Sequence, residues 1–317
     1  MTDKKTMTAF ARLLRPGDWI KNVFVLLPLI FWLPGAGRGV EPGVETSQIK
    51  FALVAFAAFC LASSGWYAVN DSLDASEDRL HPVKKQRPVA SGRVSAGAAC
   101  IIGVGCMIGA IVLARGVNDA TMWVIVAYLA LQGLYNLRLK RVIFIDTATI
   151  ASGFCLRAIC GAMAIAVPVS IWLVLCVFFL TLYLAFIKRA CDLSSASRSS
   201  ASQWQQRAQY GDWSELNWLL SVSGGLTVLM YLMYTLSAHA QGIFGQRALG
   251  LALLTPLVLI VIHRFYRRAL RGESDSPLDA IRTDGVVAAS LALFGFGVYL
   301  ILYVPGVEAI IRRTILI

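Results

Sequence analysis

Apolar residues run through this chain in long blocks, separated by shorter segments that carry most of the charge. Nine blocks read as bilayer-crossing helices, for which about 17–25 predominantly apolar residues is the usual requirement, two of them falling short of it. They fall at about 20–33, 51–69, 95–114, 120–136, 142–162, 169–187, 216–236, 249–263 and 286–304. The first is short and bounded by Pro34 and Gly35, so it reads as tilted or partly interfacial. The pattern predicts an all-α polytopic membrane protein with about nine transmembrane helices, residues 15–317 forming one transmembrane domain behind a basic tail at 1–14.

Composition agrees: 57% of residues are hydrophobic and mean hydropathy is +0.67. The formal net charge of +11 invites a nucleic-acid partner, but the placement of the bases excludes that reading. If the N terminus is cytoplasmic, only Arg38, Lys50, Arg115, Arg247, Arg312 and Arg313 of the 29 Lys and Arg residues fall on the opposite side, and Arg157 lies within a span. So lopsided a split follows the positive-inside rule and predicts the N terminus in and the C terminus out. The chain is expected in the cytoplasmic (inner) membrane, and homo-oligomerisation is compatible with the sequence. The longest polar segments, 70–93, 188–214 and 264–284, all fall on the cytoplasmic side, which is where the chemistry is expected. Within 188–213, Trp204, Tyr210 and Trp213 suggest an amphipathic cap at the interface. The seven cysteines sit mostly inside apolar blocks without CxxC spacing, which suits small apolar residues rather than a disulfide framework or a zinc site. The first 14 residues lack the apolar core of a signal peptide.

The segment 70–93 concentrates the candidate chemistry, with acids Asp71, Asp74, Glu77 and Asp78 and bases Arg79, Lys84, Lys85, Arg87 and Arg93. If the preceding helix continues, Asp71, Asp74 and Asp78 share an arc of about 60°. Like charges so placed need protons or a divalent cation, and Mg²⁺ held by carboxylates completes its shell with substrate phosphates. Asn70 opens this motif, and Lys84, Lys85 and Arg87 supply phosphate donors. The bland alternative is a solvated positive-inside loop. Elsewhere Lys21 and Asn22 open the first span, either as part of a topology anchor or facing a polar mouth. Tyr135, Arg138 and Lys140 end the fourth span at the same face. Asp146, one turn into the fifth span, is costly unless it meets a cavity or a base. Arg157 lies about 16 Å deeper by helical rise and should pair with a phosphate, with an acid, or with neighbouring helices as a lock. Lys188 and Arg189 end the sixth span beside the single acid Asp192, where a second metal cage would need a second acid cluster. Asp284, at a helix start, is a candidate to close a polar cavity.

The segment Asn70, Asp71, Asp74, Asp78 reads NDxxDxxxD and resembles the first acidic motif of the UbiA superfamily of intramembrane prenyltransferases. The continuation HPVKKQRPVASG resembles the decaprenyl-phosphate phosphoribosyltransferase branch. So do RPGDWIKN at 15–22, YNLRLK at 135–140, LRAICGA at 156–162 and KRACDL at 188–193, where that branch often has KRxxEL. The resemblance implies nine helices around a central cavity open to the cytoplasmic side, with Mg²⁺ on Asp71, Asp74 and Asp78. It also implies transfer of phosphoribosyl from 5-phosphoribosyl 1-diphosphate to a polyprenyl phosphate, releasing diphosphate. Lys84, Lys85 and Arg87 would bind the diphosphate; Lys188 and Arg189 would hold the 5-phosphate or the lipid phosphate.

Two other functions compete. One keeps the fold and moves a prenyl group to an aromatic or glycerol-phosphate acceptor, against which the lack of a second acid cluster speaks. The other is a membrane transporter, against which stands the clustering of acids at one face rather than at the midplane.

Overall fold

The computed structural model describes residues 9–36, 44–80, 83–198, 210, 212–273, 277–304 and 306–307. Among them the backbone forms helices and turns and no strand. Eight spans are long and apolar enough to cross a membrane: Thr46–Leu73, Ala96–Val117, Asp119–Leu137, Ile145–Ala164, Ile171–Ser194, Trp213–Leu236, Arg247–Leu270 and Gly285–Tyr303. They correspond to the second through ninth expected blocks.

The first block takes another form. Pro16–Leu26 is a 3₁₀ helix that runs directly into the α-helix Leu27–Ala36. Eleven residues at about 2.0 Å and ten at about 1.5 Å give roughly 37 Å of helix, which the tighter 3₁₀ winding lengthens. The Arg247–Leu270 span is also interrupted. A turn at Leu253 and Leu254 separates Arg247–Ala252 from Thr255–Leu270, and Pro256, which cannot donate to the preceding turn, opens the second piece.

Helix starts carry the side chains that satisfy their unpaired amides. Ser95 accepts from the Ala98 amide, Asn118 from Thr121, Asp212 from Ser214 and Ser237 from Ala240. The chain forms two compact units. The first comprises residues 1–31, 40–139 and 156–168, with a core of Val25, Ala58, Phe59, Ala62, Ile125 and Tyr128. Here the spans Thr46–Leu73 and Ala96–Val117 pack at backbone distance. A Cβ on Gly65 would lie 2.7 Å from the Gly103 carbonyl oxygen, and one on Gly103 would lie 2.8 Å from that of Gly65. Small residues at such a crossing let dispersion hold helices together where lipid offers no hydrophobic drive. The second unit comprises 32–39, 140–155 and 169–317, built on Tyr183, Phe186, Leu216, Leu220, Ile262 and Phe265. Its Tyr183 hydroxyl donates to the Ile262 carbonyl at 2.7 Å.

No disulfide joins the seven cysteines, all of which lie among the described residues. Of the cap expected over 188–213, residues 199–209 and 211, Trp204 included, lie outside the described residues, as do the first eight residues of the basic tail and Arg312 and Arg313.

Candidate functional site

In the first unit, the acidic motif sits where a long helix bends. The helix Val44–Leu73 ends one residue before Asp74, and Ala75–Leu80 resumes beyond it. The amides of Asp74 and Asp78 still reach the carbonyls of Asn70 and Asp74, so the chain swerves rather than reverses. The three aspartates take different partners. Asp71 and Asp78, both buried, converge on one guanidinium, while Asp74 Oδ2 accepts from Asn70 Nδ2 at 2.9 Å. No group of three His, Cys, Asp or Glu side chains among the described residues is set to hold a metal ion as it stands.

The guanidinium is that of Arg87. Its Nη1 lies 2.7 Å from Asp78 Oδ2 and 3.2 Å from Asp71 Oδ1. A second, Arg15, donates from Nη2 to the same Asp71 Oδ1 at 2.5 Å and lies 4.8 Å from the Tyr67 ring centroid. Apolar packing delivers both. Leu13 and Val89, two residues from Arg15 and Arg87 respectively, bury with Val94 against Ala68, Ala75 and Ala99. Arg15 adopts φ 50° and ψ 60°, left-handed backbone that a residue with a Cβ rarely adopts. Such strain persists where surrounding contacts over-determine it, and here the ion pair and the aromatic face do so.

Asp71 is 1% exposed, and its Oδ2 accepts no hydrogen bond among the described residues. A buried acceptor left so costs about 1–3 kcal/mol. A desolvated carboxylate oxygen beside two further acids is a donor set that fits a hard divalent cation.

Lys21 and Asn22 lie apart from this cluster. Lys21 is exposed and paired with Asp18 at 2.5 Å. Asn22 does not face a polar mouth: it is fully buried, donating to Cys60 Sγ and Ser63 Oγ and accepting from Arg157 Nε at 2.8 Å. Arg157 also donates to the Tyr128 hydroxyl at 3.1 Å and lies against the rings of Phe59 and Tyr128. Of the roles open to a buried arginine, these contacts are those of a lock between helices. Trp19 joins the same segment to Ser64 at 3.0 Å.

The second unit holds a different charged cluster. Asp146, 0% exposed, accepts on Oδ2 from Arg189 Nε at 3.0 Å and Nη2 at 2.8 Å, and on Oδ1 from the Tyr210 hydroxyl at 2.8 Å. That hydroxyl in turn takes the Phe144 amide at 2.9 Å, where φ is 66°. Arg189 also reaches outward through Nη1, 3.3 Å from the exposed Asp192. Burial pushes the Tyr210 phenol up to about 12, helped by the neighbouring Asp146 carboxylate and offset in part by Thr147 and the Phe144 amide. Asp284 caps Gly285–Tyr303 through the amides of Val286 and Val287 and binds Arg264 at 2.8 and 3.0 Å. Burial opposes its ionisation, but these partners outweigh it and hold the carboxyl below the usual range.

Of the remaining candidates, Tyr135 is half-buried and Arg138 exposed at the end of Asp119–Leu137; Lys84 and Lys140 are half-buried in 3₁₀ turns, and Lys85 and Lys188 are exposed. Arg15, Tyr128 and Tyr210 were not among the sequence candidates. Arg15 precedes a proline and Tyr210 follows a polar run, positions that report turns and linkers rather than partners many residues away.

The profile of the UbiA prenyltransferase family matches residues 25–278. The chain is 32% identical over 234 residues to the decaprenyl-phosphate phosphoribosyltransferase of Mycolicibacterium smegmatis, covering 74% of this chain and 72% of that protein. It is 28% identical over 305 residues to that of Corynebacterium glutamicum, covering 95% and 89%. A UbiA homologue from Archaeoglobus fulgidus, solved bound to GPP and Mg²⁺, superposes with a TM-score of 0.67 at 18% identity, covering 92% of this chain and 99% of that one. With this fold, these spans and this acidic motif, the chain is an integral membrane protein that belongs to the UbiA prenyltransferase family of transferases.

Proposed function

We propose that the protein transfers the 5-phosphoribosyl group of 5-phosphoribosyl 1-diphosphate to a polyprenyl, decaprenyl-like phosphate and releases diphosphate. The observation that carries this reading is the buried pair Asp71 and Asp78, neutralised by Arg15 and Arg87, with Asp71 Oδ2 unbonded among the described residues. Similarity to two proteins named decaprenyl-phosphate phosphoribosyltransferase, over 74% and 95% of this chain, supports the choice of substrates.

Asp71, Asp74 and Asp78 would hold Mg²⁺, which when bound neutralises charge on the leaving diphosphate. Arg15, Lys84, Lys85 and Arg87 pair with diphosphate oxygens and stabilise the anion as it departs. The ribose C1–O bond to diphosphate breaks, and a bond forms from C1 to an oxygen of the lipid phosphate. That oxygen is already anionic, so the chain supplies no general base. Lys188, exposed, and Lys140, half-buried, are our candidates for the remaining phosphate. The many basic residues at one set of helix ends support an active site facing the cytoplasm from the inner membrane, with the N terminus in and the C terminus out.

Purified protein given labelled phosphoribosyl diphosphate, polyprenyl phosphate and Mg²⁺ should yield a lipid-soluble labelled product. Turnover of a prenyl diphosphate with a phenol, and none with the sugar donor, would replace this reading with prenyl transfer.

A further inference from the structure

We infer that the Asp71–Asp78 pair captures its divalent cation only together with a diphosphate, because Arg15 and Arg87 hold those carboxylates until phosphate oxygens replace them as partners. The inference deepens the metal–diphosphate reading above and depends on it.

Charge is the first reason. Two guanidiniums and two carboxylates are in mutual contact, so at neutral pH the four cancel. A bare cation approaching these four groups gains little net attraction and meets two positive charges. Partner preference is the second. Arg87 Nη1 bridges Asp71 Oδ1 and Asp78 Oδ2, and Arg15 adds to Asp71 Oδ1, so the oxygens a cation needs are already occupied by strong charge-assisted donors. A diphosphate offers those donors pairs of anionic oxygens that the planar guanidinium fork binds bidentately. The carboxylates are then released to the cation it brings.

Mobility is the third reason. The Arg15 and Arg87 side chains are 25% and 24% exposed, whereas those of Asp71 and Asp78 are 1% and 4% exposed. The bases can turn toward an incoming anion while the acids stay in place. Asp71 Oδ2, buried and without a hydrogen bond among the described residues, is the ligand atom kept ready behind them. Arg15 is tethered at short range by its left-handed backbone and the Tyr67 ring, so it changes partner without leaving the site.

Mn²⁺ and inorganic pyrophosphate serve as probes. Bound Mn²⁺ is measured by equilibrium dialysis and electron paramagnetic resonance on purified protein, corrected for the Mn²⁺–pyrophosphate complex in solution. The wild type should bind Mn²⁺ at least about tenfold more tightly with pyrophosphate than without, and Arg15→Gln and Arg87→Gln should each tighten binding of Mn²⁺ alone by about tenfold, the scale of one unit charge acting on a divalent ion a few ångströms away in a wet site. Equal wild-type affinity with and without pyrophosphate would overturn the inference and leave the metal site standing. So would Mn²⁺ binding unchanged in a folded Arg15→Gln protein. Absence of bound Mn²⁺ under every condition would remove the metal reading along with the inference. If both variants fail to fold, the wild-type comparison alone still decides.

Discussion

Asp71 and Asp146 are both buried aspartates paired with arginine, yet they are bonded in opposite ways. Asp146 receives two N–H groups of Arg189 on one oxygen and the Tyr210 hydroxyl on the other, and Arg189 is 6% exposed. Both its oxygens are engaged, and its partner is as inaccessible as it is. Asp71 crowds two guanidiniums onto Oδ1, leaves Oδ2 unbonded among the described residues, and takes its partners from side chains a quarter exposed. One arrangement is closed and holds structure; the other is incomplete and suits exchange of partners. On our proposal the same residue types serve stability in one unit and ligand capture in the other, and satisfaction of the oxygens tells them apart.

Four measurements would break or sharpen that contrast. Asp71→Asn should lower phosphoribosyl transfer by roughly 10²–10³-fold, the usual scale for losing one strong electrostatic group in a site. Its thermal unfolding should stay close to wild type; loss of fold without a specific loss of turnover would place Asp71 with Asp146. Asp146→Ala should strand a buried guanidinium and lower stability by about 3–5 kcal/mol, seen as a fall in unfolding midpoint in detergent. The double replacement Asp146→Leu with Arg189→Met should recover most of that loss, and failure to do so would point to a ligand role for the pair. Tyr210→Phe removes one hydrogen bond to a charged group and should cost about 1.5–3 kcal/mol, with the midpoint again as readout.

The smallest effect concerns pH. Tyr210 stays protonated in the fold up to about 12, whereas the unfolded chain releases that proton near 10. The folded state therefore holds more protons in that window, and the contribution of Tyr210 is complete below pH 10 and declines as pH rises toward 12. Unfolding of wild type and Tyr210→Phe should diverge at pH 8 and draw together by pH 11. A constant gap would mean that the phenol does not titrate in this window.

Much of this was legible from residue order. Hydropathy located the second through ninth spans because a helix in lipid satisfies its own backbone and needs only an apolar surface. NDxxDxxxD and the basic residues after it marked the acidic cluster because their spacing is local. The bend at Asp74 was not legible, since Asn70 competes for that carboxylate only once the helix exists. Nor was the 3₁₀ winding after Pro16, which no apolar count distinguishes from an α-helix.

The chain order alone thus determined that this is a helical membrane protein, where its spans run, and which loop holds the acids. Only the tertiary structure decided which base meets which acid: Arg15 with Asp71 across 56 positions, Arg189 with Asp146 across 43, and Arg157 with Asn22 across 135. Hydrophobic periodicity is a property of neighbours along the chain, so it survives reading one residue at a time. A buried charge must find a partner, but packing chooses that partner, and packing is settled only when Leu13, Val89 and Val94 close on the helices beside them.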